Sequence, residues 1–192
     1  MNREKIKLKI LTNILSIVTK KYDLIIEEKD DKLQELYYQA TRDRLTGLYN
    51  RVYLLESLET KFAKAHREGK DNFYIVFIDL DNFKWINDNK GHEEGDRVLQ
   101  EVAAILQESL REYDIIGRYG GDEFILFLEI DKEKLFKILH RIRQKVEEQF
   151  QNYNLSLSFG AASLIERNSI QEVLKLADER MYRDKFQRKA QR

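Results

Sequence analysis

Cysteine and proline are both absent from this 192-residue chain. Without cysteine there is no disulfide framework, no thiolate metal site and no cysteine nucleophile. Net charge is missing too, since 34 Lys and Arg offset 34 Asp and Glu. That balance excludes bulk attraction to nucleic acid or to an anionic membrane. No long apolar run exists either: the stretch 6–26 is interrupted by Lys7, Lys9, Lys20, Lys21 and Asp23. It predicts no membrane insertion and does not read as a signal peptide. The cytoplasm is the expected location. Apolar residues are plentiful, at 42% with 10 Phe and 10 Tyr, enough for one packed domain with an appendage. Glycine is scarce, at eight residues, and two of them are adjacent.

Those two open the most informative stretch, Arg118-Tyr119-Gly120-Gly121-Asp122-Glu123-Phe124. Apolar runs flank it, Ile115-Ile116 before and Phe124-Ile125-Leu126-Phe127-Leu128 after. The pattern predicts a strand, a tight glycine turn and a returning strand. Two adjacent acids at such a turn repel each other and ionise less readily. A solvated acidic hairpin is the plain alternative, and a cation between the acids is the functional one.

A second acidic strand end favours the cation. Phe73-Tyr74-Ile75-Val76-Phe77-Ile78 reads as a buried strand and ends in Asp79-Leu80-Asp81. Alternation puts Asp79 and Asp81 on one face with Leu80 opposite. If the two strands are neighbours, Asp79, Asp122 and Glu123 converge. Hard oxygen ligands without cysteine or clustered histidine suit Mg²⁺ or Mn²⁺ rather than zinc. Such a site keeps waters and takes further ligands from substrate phosphates, which points to nucleotide phosphoryl chemistry.

Residues 1–40 contain neither glycine nor proline, and Leu8, Leu11, Leu15, Val18, Tyr22 and Ile25 recur in heptad steps before Lys29 and Lys32 break the seam. This predicts a helix roughly 60 Å long that pairs with a second copy as a parallel homodimer stalk. Beyond it the periodicities predict a helix over 52–68, a strand over 73–79 and a short helix or turn over 83–88. A helix over 96–110, strands over 114–119 and 123–130, a helix over 131–150, a strand from 155 and a helix over 169–187 follow. The order β-α-β-β-α-β-α is the ferredoxin-like split βαβ arrangement, an α/β (α+β) domain behind a long N-terminal helix. The boundaries expected are 1–41 for the stalk and 42–192 for the domain. The turn Asn82-Phe83-Lys84 presents backbone N–H groups at a helix N-terminus, a ready phosphate site. His66 and His140 fall on helices and read as surface residues, and Trp85 reads as packing.

Four motifs in order resemble the diguanylate cyclases with the GGDEF domain, over residues 41–189. They are Asp43-Arg44-Leu45-Thr46-Gly47-Leu48-Tyr49-Asn50-Arg51; Asp79-Leu80-Asp81-Asn82-Phe83-Lys84 with Asn87-Asp88 and 91–96; Arg118 to Phe124; and Ala177-Asp178 with Met181-Tyr182 and Lys185. The resemblance implies a nucleotidyl-cyclase-type fold that condenses two GTP into cyclic di-GMP and releases two pyrophosphates. It implies Asp79, Asp122 and the Leu80 carbonyl as metal ligands, with Glu123 a third ligand or a partner in deprotonating the 3′-hydroxyl. Asp122 is the alternative general base. Asn82, Phe83 and Lys84 would bind phosphate, and Asn87 and Asp96 the guanine edge, with His92 lining the same pocket in the loop 91–95. Lys185 and Lys189, one helical turn apart, would reach the terminal phosphates. The family usually has Gly-Arg-Asn where this chain has Arg188-Lys189-Ala190, so a solvated basic helix end is the other reading of Lys189. Arg111-Glu112-Tyr113-Asp114, shortly before Gly120, matches the family's RxxD inhibitory site for the product. A surface ion pair is the plain alternative. The same resemblance leaves as the rival function a domain without turnover, one that binds cyclic di-GMP as a receptor or serves as a dimerisation module.

Overall fold

A computed structural model describes residues 3–69 and 72–190. The chain divides into two compact units after Ala40. The first is made by helix α1 (Arg3–Thr41), whose one buried residue, Thr41, already belongs to the second unit. No described helix is long and apolar enough to cross a membrane.

The second unit runs α2 (Arg51–Glu68), β1 (Phe73–Asp81), α3 (Phe83–Lys90), α4 (His92–Ser109), β2 (Ile115–Arg118), β3 (Glu123–Glu129), α5 (Lys132–Gln149), β4 (Ser156–Ser163) and α6 (Ile170–Ala190). Local chemistry sets the boundaries. The Asn50 side chain accepts the Tyr53 N–H to cap α2, and Gly69 ends it in the left-handed region, where glycine carries no Cβ penalty. Asn82 also sits left-handed, at φ 74°, a conformation asparagine tolerates, and its amide donates to the Tyr153 carbonyl at 2.7 Å. The chain therefore swings from β1 directly into α3. One expectation is corrected here: α4 begins at His92 rather than near Asp96, so residues 92–95 form its first turn and His92 is helical.

The four strands form one sheet in the order β2-β3-β1-β4, and every pairing is antiparallel. Both faces are covered, which is why β1 and β3 read as continuous apolar runs. Val76, Ile78, Leu80, Phe124, Leu126 and Leu128 lie in a core shared with α3, α4 and α5. Phe73, Ile75, Phe77, Ile125 and Phe127 lie in a second core with α2 and α6.

Both sheet edges are closed by short devices, the usual protection against edge-to-edge pairing. Tyr49 bridges Gly117 along β2. Along β4, Arg180 donates to the Ala161 carbonyl, the Phe159 N–H donates to Asp184, and Arg188 donates to the Leu157 carbonyl. These α6 side chains reach the strand because Gly160 lets the helix backbone approach. A Cβ there would stand 2.1 Å from the Ala177 carbonyl oxygen and 2.1 Å from the Met181 nitrogen. Backbone cannot rotate away as a side chain can. Gly160→Ala is therefore expected to destabilise the domain by about 1–3 kcal/mol in thermal or denaturant unfolding. An unchanged midpoint would refute the close approach.

Candidate active site

The acids of the two strand ends meet through the register of the central pair. Asp79 lies directly across from Glu123, and the Leu80 N–H donates to the Asp122 carbonyl at 3.2 Å. Directly opposed residues share a face, so Asp79 and Glu123 lie on the side covered by α2 and α6. Asp81, on the same face as Asp79, is already engaged. Ser158 Oγ donates to both its oxygens at 2.9 and 2.8 Å, and Arg188 stands 3.7 Å away.

Electrostatics follow from that crowding. Burial pushes the Asp79 carboxyl above its ordinary range, and the Asp122 and Asp81 charges add to it, although Lys185 pulls the other way. Burial likewise raises Glu123, with Asp79, Asp122 and Asp178 adding to it. Lys185 Nζ lies 2.5 Å from Asp79 Oδ1. Burial pulls its own pKa down, and the hydrogen bond to Asp79 with the surrounding acids more than offsets this, leaving it raised. The donor set fits a hard divalent cation: half-buried carboxylates that repel one another and hold one lysine as local counter-charge. Among the described residues no three Asp, Glu, His or Cys side chains form a closed cage. Mg²⁺ sites need none, because one or two carboxylates are completed by waters and substrate phosphates.

A cavity of about 670 Å³ opens at Asp122 and Asp81 and reaches Asp79 through Lys185, while Glu123 faces a separate cavity of about 440 Å³ with Tyr119, Lys175 and Asp178. Leu80, Asn82, Phe83, Lys84, Asp122, Lys185 and Lys189 line the larger one together. Asp81, Trp85, Asn154 and Arg188 complete the lining, and the last three carried no sequence signal of a site. Trp85 is not a packing residue. It is 41% exposed, because its position in the first turn of α3 points away from the buried Phe83 and Ile86. That three-to-four-residue phase was readable in the sequence. The engagement of Arg188 with Leu157, Glu147 and Ser156 was not, since its partners lie over thirty residues away.

Asn87, His92 and Asp96 lie outside that cavity's lining. Asn87 is half-buried at the seam of α3 and α4, and its Oδ1 occupies the place a Cβ at Gly95 would take, 1.9 Å away. His92 and Asp96 are exposed and one turn apart on α4, so both sit at the same helix end as Asn87. A further brace holds the acidic turn. Arg118 donates to the Gly121 carbonyl at 2.8 and 3.2 Å and pairs with Asp43 at 3.2 Å. Asp43 in turn accepts from the Thr46 N–H and hydroxyl.

The family model described as "Diguanylate cyclase, GGDEF domain" matches residues 40–191. The chain belongs to the GGDEF family. Diguanylate cyclase DosC of Escherichia coli strain K12 is 32% identical over 194 aligned positions, covering 95% of this chain and 40% of DosC. The chain thus spans less than half of that relative's length. Among solved structures, diguanylate cyclase SiaD of Pseudomonas aeruginosa, in complex with its activator SiaC, is 30% identical with a TM-score of 0.71. The match covers 95% of this chain and 72% of SiaD. The coiled coil and GGDEF domain of DgcB from Caulobacter crescentus, in complex with c-di-GMP, is 26% identical with a TM-score of 0.77. It covers 89% of this chain and 94% of that one.

In this GGDEF domain Arg111 and Asp114 follow α4 and precede β2. They do not form the side-chain ion pair weighed above. Asp114 instead accepts the Arg111 backbone N–H at 2.9 Å, and the Arg111 guanidinium reaches the Tyr113 hydroxyl. Burial raises the Asp114 carboxyl, with the Arg111 N–H and charge opposing it. The two residues line a cavity of about 280 Å³ together with Arg141 of α5. Arg141 had no sequence signal, because only the packing of α5 across β3 brings it there.

Proposed function

We propose that this domain is a diguanylate cyclase. It joins two GTP molecules into cyclic di-GMP with loss of two pyrophosphates, and works as a homodimer aligned by residues 1–40. The observation that carries the reading is the juxtaposition of Asp79, Asp122 and Glu123 with a cavity lined by Lys84, Lys185 and Lys189. Acids that repel need a cation, and the lysines beside them suit the triphosphate that such a cation accompanies.

Each half of the reaction forms a bond from the 3′-oxygen of one GTP to the α-phosphorus of the other. The bond from that phosphorus to pyrophosphate breaks, and the hydroxyl proton leaves to a base. Mg²⁺ or Mn²⁺ held by Asp79, Asp122, Glu123 and the Leu80 carbonyl would withdraw charge from the α-phosphate and acidify the hydroxyl. Glu123, held above the ordinary carboxylate range by burial and neighbouring acids, is suited to take the proton, with Asp122 beside it as the other candidate base. The first turn of α3 offers the Phe83 and Lys84 N–H groups to the phosphates, the Trp85 N–H being taken by the Asn82 carbonyl, and Lys84 adds charge. Lys185 bridges the acids and the phosphate end, and Lys189 extends that end. Asn87 and Asp96 offer an amide and a carboxylate to the guanine edge, with His92 alongside. Cyclic di-GMP is also the expected ligand of Arg111 and Asp114, as an inhibitor away from the reacting atoms. The coiled coil that accompanies the GGDEF domain of DgcB supports such a stalk.

The deciding assay is incubation with GTP and Mg²⁺, followed by chromatography for cyclic di-GMP. Binding of cyclic di-GMP without any synthesis would leave the receptor reading instead. Trp85 gives a second readout, being the one tryptophan of the chain. Its emission is expected to change saturably with a GTP analogue blocked between the α- and β-phosphates, with weaker affinity in Lys84→Ala. Unchanged emission in an enzyme that still turns over would place the phosphates elsewhere.

A further inference from the structure

The Arg111–Asp114 site has a second compartment. Arg111 and Asp114 line the 280 Å³ cavity with Arg141, and they also line a second cavity of about 260 Å³ with Arg42, Tyr49 and Gln107. The two residues therefore form a wall common to both spaces. Arg42 is fixed in the second space. Its guanidinium lies 3.8 Å from the Tyr49 ring centroid, Tyr49 stacks on Tyr53 at 4.5 Å, and an Arg42 N–H donates to the Gly47 carbonyl. Tyr49, itself stacked on Tyr53, covers one face of the Arg42 guanidinium, and Arg42 and Tyr49 both line the second cavity. Among the described residues neither the Arg42 nor the Arg111 guanidinium makes a direct ion pair, although the Arg111 charge acts on Asp114 and Glu112 also lines the second cavity. Planar guanidinium groups recognise phosphate and the guanine O6/N7 edge in a fork. Gln107 adds an amide donor and acceptor at the rim.

We propose that Arg42 and Gln107 form the second half of a two-part cyclic dinucleotide site. One guanine sits on the Arg141 side of the Arg111–Asp114 wall. The other stacks on Arg42 and bonds to Gln107. The phosphates lie between, against Arg111. The chemistry fits: a ligand with two bases joined through two phosphates matches two spaces joined by an arginine and an acid. This inference rests on reading Arg111 and Asp114 as the product site, and it adds a consequence. Arg42 directly follows Thr41, the last residue of α1, and the Asn50 N–H donates to the Thr41 carbonyl at 2.9 Å. Bound product would therefore engage the residue at which the stalk becomes the domain.

The test is calorimetric titration of the full chain with cyclic di-GMP, comparing the parent with Arg42→Lys, Gln107→Ala and Arg111→Ala. Arg42→Lys keeps the charge and removes the planar face, and Gln107 is exposed on α4, so both variants should fold; thermal unfolding checks this. Affinity is expected to fall at least about fivefold in each, the scale of one good base contact, and to be lost in Arg111→Ala. Loss in Arg111→Ala with parental affinity in both other variants would overturn the second compartment and leave the product site standing. Parental affinity in all three would overturn the product site itself.

Discussion

Asp122→Asn is expected to lower cyclic di-GMP synthesis by at least roughly 10²–10³-fold, the scale seen when one electrostatic contact to a developing charge is removed, while the domain stays folded. Asp122 lies at the open end of the β2–β3 turn, half-exposed. Among the described residues its side chain takes no hydrogen bond or ion pair, and it lines the cavity with Lys84, Lys185 and Lys189. Nothing structural is lost with its charge, and its repulsion of Asp79 and Glu123 is relieved. Asp79 is a less clean probe. Its carboxylate holds Lys185, so Asp79→Ala removes that lysine's principal partner at a half-buried position along with the proposed metal ligand. A large rate loss is expected there too, with some loss of stability. Product formation under saturating GTP and Mg²⁺, set beside thermal unfolding of each variant, separates the two. Near-normal turnover by Asp122→Asn would sink the proposed role of the acids.

The fold was legible where periodicity and punctuation agreed. The continuous run 73–78 gave β1, the adjacent glycines gave the β2–β3 turn, and the pairing of these strands followed from their acidic ends. The register could not be read so directly. That Asp79 faces Glu123 while Leu80 takes the Asp122 carbonyl depends on where the turn closes, and Arg118 fixes this by gripping the Gly121 carbonyl and Asp43 across the chain. Gly91 misled by one turn. A glycine-rich 91–95 reads as loop, yet Gly91 is a left-handed entry at φ 91° and Gly95 is a packing requirement against Asn87, so α4 starts four residues early. The closing of β4 by Arg180, Asp184 and Arg188 is tertiary throughout; in sequence these are ordinary charges on a helix.

For the site, residue types with unusual chemistry stood out and residues with ordinary chemistry did not. Adjacent carboxylates at a strand end are unfavourable without a cation, so Asp79, Asp122 and Glu123 announced themselves. Arginines are common on surfaces, and nothing local distinguishes Arg42, Arg118, Arg141 or Arg188. The approach of distant elements gives three of them their partners, Asp43 for Arg118, the Ser109 carbonyl for Arg141 and Glu147 for Arg188, while Arg42 meets Tyr49 across a short local bridge. The missed residues are thus the ones whose role depends on packing rather than on their own charge.

Leu15→Glu combined with Val18→Glu is expected to lower specific activity at least about tenfold at low protein concentration, with partial recovery as concentration rises. Leu8, Leu11, Leu15, Val18, Tyr22 and Ile25 are between 39% and 67% exposed, and they share one stripe of a 39-residue helix. Isolated helices draw little stability from propensity and most of it from burying an apolar face. A second copy presents the same stripe in the same order, so a parallel pair buries both. Lys29 and Lys32 interrupt the seam, and Lys32 is satisfied on its own helix by Glu35 at 2.5 Å, which confines the pairing to the N-terminal part. In the proposed reaction two bound GTP molecules meet face to face, each carried by one domain, and a paired stalk would turn that encounter into an intramolecular one at roughly millimolar effective concentration. Glutamate at positions 15 and 18 would set like charges against each other across the seam and release the domains. The remaining activity would then rise with the square of protein concentration, while the parent's rises linearly. Sedimentation and initial rates measured over the same range test both halves. A charged variant that stays dimeric and fully active would show that α1 does not align the active sites.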